Sequence, residues 1–221
     1  MQFRNMSSIR FSARMSNSEQ AADASIRRLV TSRAGREWCL FVDRDGVINR
    51  KVADDYVRQW NEFEWMPSVR PALKILRDWA PHLVVVTNQQ GIGKGLMSIA
   101  DLDDIHGQIK TVLAEDNVVI DSIRSCPHLE SAGCSCRKPR PGLVLDWLAN
   151  HPAVDQSLSV VVGDSACDFE LSRQVALVTG KCTSVQVGGV AESKSAADLA
   201  FDSLWEFAIA VERILKGEIP N

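Results

Sequence analysis

Two carboxylates one residue apart, Asp43 and Asp45, follow an apolar run and precede Gly46. The run, Cys39–Val42, has the length and composition of a strand buried on both faces of a parallel sheet. Open α/β sheets bind their ligands just outside the carboxyl ends of their strands. The two carboxylates therefore stand where chemistry is expected, although an ordinary turn rich in Asp and Gly would have the same composition.

Polar side chains stand at three further strand ends of the predicted sheet. With the first pair, the groups are Asp43 and Asp45, Thr87 and Asn88, Arg137 and Lys138, and Asp164 and Asp168. Carboxylates that converge from distant positions repel one another unless a cation neutralises them, and hard oxygen ligands suit Mg²⁺. Lys138 and the backbone N–H groups near Thr87 and Gly46 can hold an anion. A carboxylate nucleophile, a second carboxyl group, Mg²⁺ and a cationic anchor are the components of phosphoryl transfer to an aspartate.

A cluster of three cysteines and one histidine precedes the third of these groups. Its members are Cys126, His128, Cys134 and Cys136. Three thiolates and one imidazole are the ligand set of a closed, tetrahedral, structural Zn²⁺ site. The alternative is two cysteine pairs without a metal, because the one-residue spacing is tighter than the common finger spacing. With no open coordination position, zinc would fold the loop at residues 126–136 and fix Arg137 and Lys138, without taking part in catalysis.

Strands and helices alternate along the chain, and this order predicts an α/β fold with a doubly wound, Rossmann-like parallel sheet. The predicted strands cover residues 39–43, 82–87, 118–125, 158–162 and 183–187. The predicted helices cover residues 68–79, 100–114, 143–150, 168–178 and 203–215. Ser68 is expected to cap the first of these helices. The pattern contains no second core, so residues 36–221 are predicted to form a single domain.

The composition is that of an ordinary soluble globular protein, with 221 residues, 45% of them hydrophobic, and a net charge of −3. It contains no basic run typical of a nucleic-acid surface and no apolar stretch as long as a membrane span. The six cysteines are unevenly spread, with three in the cluster and three in or beside apolar stretches. This distribution favours a reducing, cytoplasmic setting over a disulfide framework.

Residues 1–35 are predicted to be a flexible N-terminal extension. Arg4, Arg10 and Arg14 precede the first acidic residue, which is typical of a transit peptide. No long apolar or clearly amphipathic segment accompanies these arginines, so a disordered extension or an over-called start codon is the favoured interpretation. A short helix over residues 18–32 would have no evident function.

Four motifs in order resemble those of the haloacid dehalogenase (HAD) superfamily of phosphohydrolases. Its first motif, D-x-D-G-[TV], matches residues 43–47, and its fourth, G-D-x-x-x-D, matches residues 163–168. Thr87 matches the second motif and Lys138 the third. Each motif lies at a predicted strand end, which makes the set far more specific than any one of its members. The resemblance implies a HAD-type sheet.

The resemblance also implies a role for each matching residue. Asp43 would be the nucleophile that becomes an aspartyl phosphate. Asp45 would be the general acid and base that protonates the leaving oxygen and then activates water. Thr87 and Lys138 would hold the phosphoryl oxygens. Mg²⁺ would be held by the side chains of Asp43 and Asp164 and by the backbone carbonyl of Asp45.

Two further features of the superfamily bear on this chain. Its cap domains are inserted before or after the second motif, and both intervals here are too short for a large cap. Loops must then recognise the substrate, and the cysteine cluster lies on one of them. Asp168 would either support the metal from outside its ligands or orient Lys138.

Within the superfamily, the pattern C-P-H … C-x-C-R-K-P-x-P-G at residues 126–142 resembles the D-glycero-D-manno-heptose 1,7-bisphosphate 7-phosphatases, most closely those of the mycobacterial type. That branch implies Mg²⁺-dependent release of the C7 phosphate of a sugar phosphate in nucleotide-activated heptose biosynthesis. The absence of a large cap predicts a monomer, and the charge and hydropathy described above predict no nucleic-acid or membrane partner. Arg137, with its bidentate guanidinium, would pair with the second phosphate of the substrate. Asn88 and Lys138 would complete the substrate site.

Three details leave alternatives open. The short stretch between His128 and Cys134 is typical of the related histidinol-phosphate phosphatases. Ser165 stands where many heptose enzymes have a lysine, so one cationic contact is either missing or supplied elsewhere, with Lys94 and Arg140 as candidates. A zinc-stabilised binding module without activity is the third interpretation, although every predicted catalytic position is occupied.

Overall fold

A computed structural model describes residues 17–53, 55–188 and 197–218 of the chain, with side chains from residue 20 onward. In chain order, the described strands β1–β6 are Cys39–Val42, His82–Asn88, Ser122–Cys126, Val160–Gly163, Thr183–Val187 and Leu199–Phe201. The described α-helices α1–α6 are Asn17–Thr31, Val69–Trp79, Ile99–Glu115, Gly142–Ala149, Ala166–Thr179 and Leu204–Leu215. The strands form one parallel sheet in the order β3-β2-β1-β4-β5-β6.

Both faces of the sheet are buried, as expected for parallel strands joined by helical crossovers. Alternate residues of β1 point to opposite faces. Leu40 and Val42 join a core cluster with α1, α2, α3 and α6, whereas Cys39 and Phe41 join a second cluster with α4 and α5. This arrangement confirms the predicted doubly wound α/β fold. Among the described residues, no helix combines the length and apolarity that a bilayer crossing requires.

Three details of the fold differ from the sequence-based prediction. β3 begins at Ser122 rather than at residue 118, and the buried Val118 lies before the sheet. β6 was not predicted, because its apolar run of three residues at the sheet edge is too short to indicate a strand. Ser68 does not cap α2 with its side chain, because its backbone is left-handed, with φ 56°, and side-chain caps need an extended backbone.

The N-terminal segment also differs from the expected flexible extension, over the part of it that the structure describes. Ile26, Leu29 and Val30 of α1 are at most 5% exposed and belong to the larger core cluster. Arg33 follows α1, and its Nε donates to the Leu158 carbonyl at 2.8 Å. This helix therefore packs as part of the domain, while the rest of the predicted extension, residues 1–16, lies outside the described residues.

Candidate active site and zinc loop

The carboxyl ends of β1, β2 and β4 bring the predicted site residues together. Asp43 directly follows β1, and its backbone N–H donates to the Val162 carbonyl of β4 at 2.9 Å. Thr87 and Asn88 end β2. The Asn88 side chain exchanges two hydrogen bonds with the Lys138 backbone, donating to its carbonyl at 3.1 Å and accepting from its N–H at 3.0 Å. Asn88 thus fixes the loop that carries Lys138.

Lys138 forms a buried ionic group with two carboxylates. Its Nζ lies 2.6 Å from Asp43 Oδ1 and 2.7 Å from Asp168 Oδ1. Burial raises the pKa of Asp43 to about 7, with Lys138 opposing this effect and Asp168 adding to it. The two carboxylates raise the pKa of Lys138 in spite of its burial. Of the two roles open to Asp168, the 2.7 Å contact favours the orientation of Lys138.

Asp45 is held by donors on both of its oxygens. Oδ1 accepts hydrogen bonds from Arg44 Nη2 and Asn49 Nδ2, each at 2.9 Å. Oδ2 accepts from Gln89 Nε2 at 2.7 Å and lies 3.4 Å from Thr87 Oγ1. The net pKa of Asp45 is lowered. Burial acts to raise this pKa, but the Arg44 charge and these hydrogen bonds outweigh the effect of burial.

Three residues of this network are not predicted by the sequence motifs. Arg44, Asn49 and Gln89 have fully buried side chains. Each lies next to or within four residues of a predicted site residue, but sequence patterns assign such polar residues to a solvated loop. Their burial depends on how the loops after β1 and β2 fold over each other, and no local pattern encodes it.

The carboxylates of Asp43, Asp164 and Asp168 offer oxygen atoms within 4.8 Å of one another. Asp164 Oδ1 is buried and has no hydrogen-bond partner. Burial raises the pKa of Asp164, although Lys51 Nζ lies 3.8 Å from its Oδ2 and opposes this. A side chain at Gly46 would collide with the Asp164 carboxylate, so this glycine keeps the group in place. A buried acceptor without a donor and a converging set of hard oxygens fit Mg²⁺.

The four predicted zinc ligands form one compact cluster. Cys126 Sγ lies 3.6 Å from Cys134 Sγ and 3.3 Å from Cys136 Sγ. His128 faces the sulfurs with Nδ1, which lies 3.2 Å from Cys136 Sγ and 3.6 Å from Cys126 Sγ. A tetrahedral zinc with sulfur ligands at about 2.3 Å separates those sulfurs by roughly 3.8 Å. The observed sulfur separations are a few tenths of an ångström shorter than this, so the cluster needs only a small expansion to hold a tetrahedral zinc ion.

The loop at residues 126–136, called the zinc loop from here on, packs against the glycine-rich loop at residues 89–95 that follows β2. Gln89 N–H donates to the Cys126 carbonyl at 2.7 Å, and Gly93 N–H donates to the Pro127 carbonyl at 3.0 Å. A side chain at Gly93 would press on that same carbonyl at 2.8 Å, which explains the glycine. The two loops consequently form one surface beside the carboxylates.

The cations predicted for the second phosphate have different surroundings. Arg137 Nη1 is buried without a hydrogen-bond partner, so it can receive an anion. Arg140 Nη1 donates to the Cys134 carbonyl at 2.7 Å, and Lys94 Nζ lies 5.2 Å from the centre of the Tyr56 ring. The Ser165 hydroxyl is engaged within the site, since its Oγ donates to the Asp168 carboxylate at 2.7 Å.

Comparison with known proteins places this site in a family. A family model described as polynucleotide kinase 3 phosphatase matches residues 40–208. D-glycero-alpha-D-manno-heptose-1,7-bisphosphate 7-phosphatase of Mycobacterium tuberculosis is 60% identical over 183 residues, which cover 83% of this chain and 96% of the relative. D-glycero-beta-D-manno-heptose-1,7-bisphosphate 7-phosphatase of Escherichia coli K12 is 33% identical over 79% of this chain and 93% of its own length.

A solved structure agrees with the sequence comparisons. The D,D-heptose 1,7-bisphosphate phosphatase of B. bronchiseptica, crystallised with magnesium and phosphate, superposes with a TM-score of 0.69 and is 30% identical. The superposition covers 81% of this chain and 99% of that one. These findings confirm the predicted superfamily and branch. The chain belongs to the HAD superfamily, in the family of D-glycero-D-manno-heptose 1,7-bisphosphate 7-phosphatases, and is a phosphoric monoester hydrolase.

Proposed function

We propose that this chain hydrolyses the C7 phosphate of D-glycero-α-D-manno-heptose 1,7-bisphosphate. The observation that carries the proposal is the buried Asp43–Lys138 pair, 2.6 Å apart, next to a second carboxylate on Asp45. This set suits attack on a phosphate ester. The α anomer is favoured because the relatives named for it are 60% identical, whereas those named for the β anomer are 33 to 39% identical.

The proposed reaction runs in two steps. An Asp43 oxygen donates an electron pair to phosphorus while the bond from phosphorus to the sugar oxygen breaks. The negative charge of the phosphate bound beside Asp45 favours its protonated carboxyl form. The departing oxygen takes that proton, and an aspartyl phosphate remains. Asp45, now a carboxylate, then takes a proton from the water that attacks phosphorus. Free phosphate leaves and Asp43 is restored, while Thr87 and Lys138 hold the phosphoryl oxygens throughout.

Two metal ions belong to this proposal. Asp43, Asp164 and the backbone carbonyl of Asp45 would hold Mg²⁺, which supplies charge neutralisation for the phosphoryl group. Cys126, His128, Cys134 and Cys136 would hold a structural Zn²⁺ that keeps the substrate loop folded. A cytoplasmic location, a monomeric state and the absence of a nucleic-acid partner stay predictions. The free state of all six cysteines is consistent with a reducing compartment.

Phosphate release by the purified protein with Mg²⁺ tests the substrate. We expect the α-heptose 1,7-bisphosphate to be hydrolysed faster than its β anomer and much faster than histidinol phosphate. Asp43→Asn should abolish turnover, and unchanged turnover would contradict the assigned nucleophile. Arg137→Ala should raise KM for the bisphosphate. A preference for histidinol phosphate would mean that the short loop between His128 and Cys134 indicates the substrate better than Arg137 does.

A further inference from the structure

We propose that Gln89 is a positioning residue that holds Asp45 in place as the general acid and links it to the zinc loop. The proposal rests on the assignment of Asp45 as general acid made above. Gln89 directly follows β2 and has no exposed surface. Its Nε2 donates to Asp45 Oδ2 at 2.7 Å and to Thr87 Oγ1 at 2.9 Å.

Gln89 acts on the Asp45 oxygen that lies on the side of Thr87. Oδ2 lies 3.4 Å from the hydroxyl of Thr87, which is the residue proposed to hold a phosphoryl oxygen. Oδ1 is turned the other way and is held by Arg44 and Asn49. Without the Gln89 amide, the long Thr87 contact is the one hydrogen bond left on Oδ2 among the described residues. The carboxyl group could then rotate away from the leaving oxygen.

The backbone of Gln89 is fixed from the opposite side. Its N–H donates at 2.7 Å to the carbonyl of Cys126, one of the four residues that would hold zinc. A single residue therefore joins the zinc loop to the proton donor. The neighbouring Gln90 differs, because its side chain contacts Tyr56 at 3.3 Å and the Glu130 N–H at 2.8 Å instead.

The chemistry of the leaving group separates a positioning role from a structural one. A sugar alkoxide is a strong base and needs a proton as its bond to phosphorus breaks. p-Nitrophenolate is a weak base and leaves without one. Loss of the general acid's position should therefore slow formation of the aspartyl phosphate far more from a sugar phosphate than from p-nitrophenyl phosphate. Loss of folding, metal or phosphate binding should slow both esters alike.

The experiment uses the full-length protein loaded with Zn²⁺ and Mg²⁺ and measures kcat and KM for heptose 1,7-bisphosphate and p-nitrophenyl phosphate. Gln89→Met keeps the volume and removes the donor, and Gln89→Glu keeps the shape and replaces the donor with an acceptor. Because hydrolysis of the aspartyl phosphate is common to both esters, the comparison uses kcat/KM, which reports the steps up to departure of the leaving group. We expect kcat/KM for the heptose ester to fall about 10- to 100-fold and kcat/KM for the aryl ester to fall less than about threefold. Gln90→Met is the matched control and should leave the ratio of the two rates unchanged.

Equal losses of kcat/KM on the two esters, or no loss on either, would overturn the positioning role. If Gln89→Met does not fold, Gln89→Glu carries the same comparison. A wild type that is inactive on heptose bisphosphate would refute the proposed substrate alone. The comparison would then use whichever sugar phosphate the wild type hydrolyses, so the two failures are distinguishable.

Discussion

Arg44 and His106 form a buried polar pair behind Asp45. His106 Nε2 lies 3.4 Å from Arg44 Nη1, and the imidazole is 8% exposed. Because a guanidinium can only donate, this contact requires a neutral imidazole that accepts at Nε2 and carries its proton on Nδ1. Burial and the Arg44 charge lower the pKa of His106 to about 3. Arg44 can thus keep its charge directed at Asp45.

This pair predicts an acid-sensitive stability. A histidine whose pKa is lower in the folded state stabilises the fold above its unfolded pKa of about 6.5, and this contribution is lost as the pH falls towards 3. The unfolding free energy should fall between pH 6.5 and pH 5 in the wild type, and this fall should be smaller by about 2 kcal/mol in His106→Gln. Denaturant unfolding at both pH values measures this. Equal losses in the two proteins would show that His106 is not held neutral.

At the residue scale, the sequence identified the groups that meet at the strand ends but not the residues that orient them. Asp43, Asp164 and Lys138 lie in motifs with fixed spacing, and the parallel sheet places them at one edge. Gln89 and Arg44 belong to no such pattern. Gln89 acts through a hydrogen bond to Asp45, which lies 44 positions earlier in the chain. Arg44 is fully buried, although charged side chains are mostly exposed.

At the element scale, the zinc loop has little regular structure of its own. Between Cys126 and Gly142 the described chain contains one short 3-10 helix, Glu130–Ala132. The loop is tied to its surroundings by a few hydrogen bonds, such as those of Gln89 and Gly93, and by the four converging side chains. With the proposed zinc bound, such a segment would depend on the metal for order, since binding free energy would become folding free energy.

We therefore expect Cys134→Ser, or zinc removal by a chelator, to lower the unfolding temperature by on the order of 10 °C, which corresponds to about 3 kcal/mol for a domain of this size. Activity should fall mainly through a higher KM, because Arg137 and Lys138 directly follow the loop. Zinc content and thermal unfolding measure the effect. Cys167→Ser is the matched control, as Cys167 lies outside the cluster and should leave zinc content unchanged. Full stability and activity of the apo protein would contradict a structural zinc.

The elements themselves show where sequence patterns suffice. β5 was predicted with its observed bounds, Thr183–Val187, because it is a fully buried run between turn residues. β6 and α1 were missed or undervalued for the opposite reason. β6 alternates half-buried and exposed residues at the edge of the sheet. α1 buries a narrow apolar stripe against α6, and a helix of this kind is stabilised mainly by packing on its partner.

At the scale of the whole molecule, the predicted catalytic residues lie at one end of the sheet and the contacts that anchor the end of α1 lie at the other. The carboxylates gather at the carboxyl ends of β1, β2 and β4. Arg33 binds at the other end, where its Nε donates to the Leu158 carbonyl before β4 and its Nη2 donates to Thr183 at the start of β5. The helix before it is therefore far from the reaction while it closes the core.

This separation predicts that α1 contributes stability without affecting catalysis. Leu29 is 5% exposed, so Leu29→Ala should cost about 2 to 5 kcal/mol of unfolding free energy. Arg27→Ala, on the exposed face of the same helix, should change stability by less than about 0.5 kcal/mol. Denaturant unfolding measures both, and kcat below the unfolding transition should equal that of wild type. If Leu29→Ala leaves the unfolding free energy unchanged, the sequence-based prediction of a flexible extension over residues 1–35 would stand. The expected loss would instead move the N-terminal boundary of the folded domain to α1, because a domain starting at residue 36 would lack part of its own core.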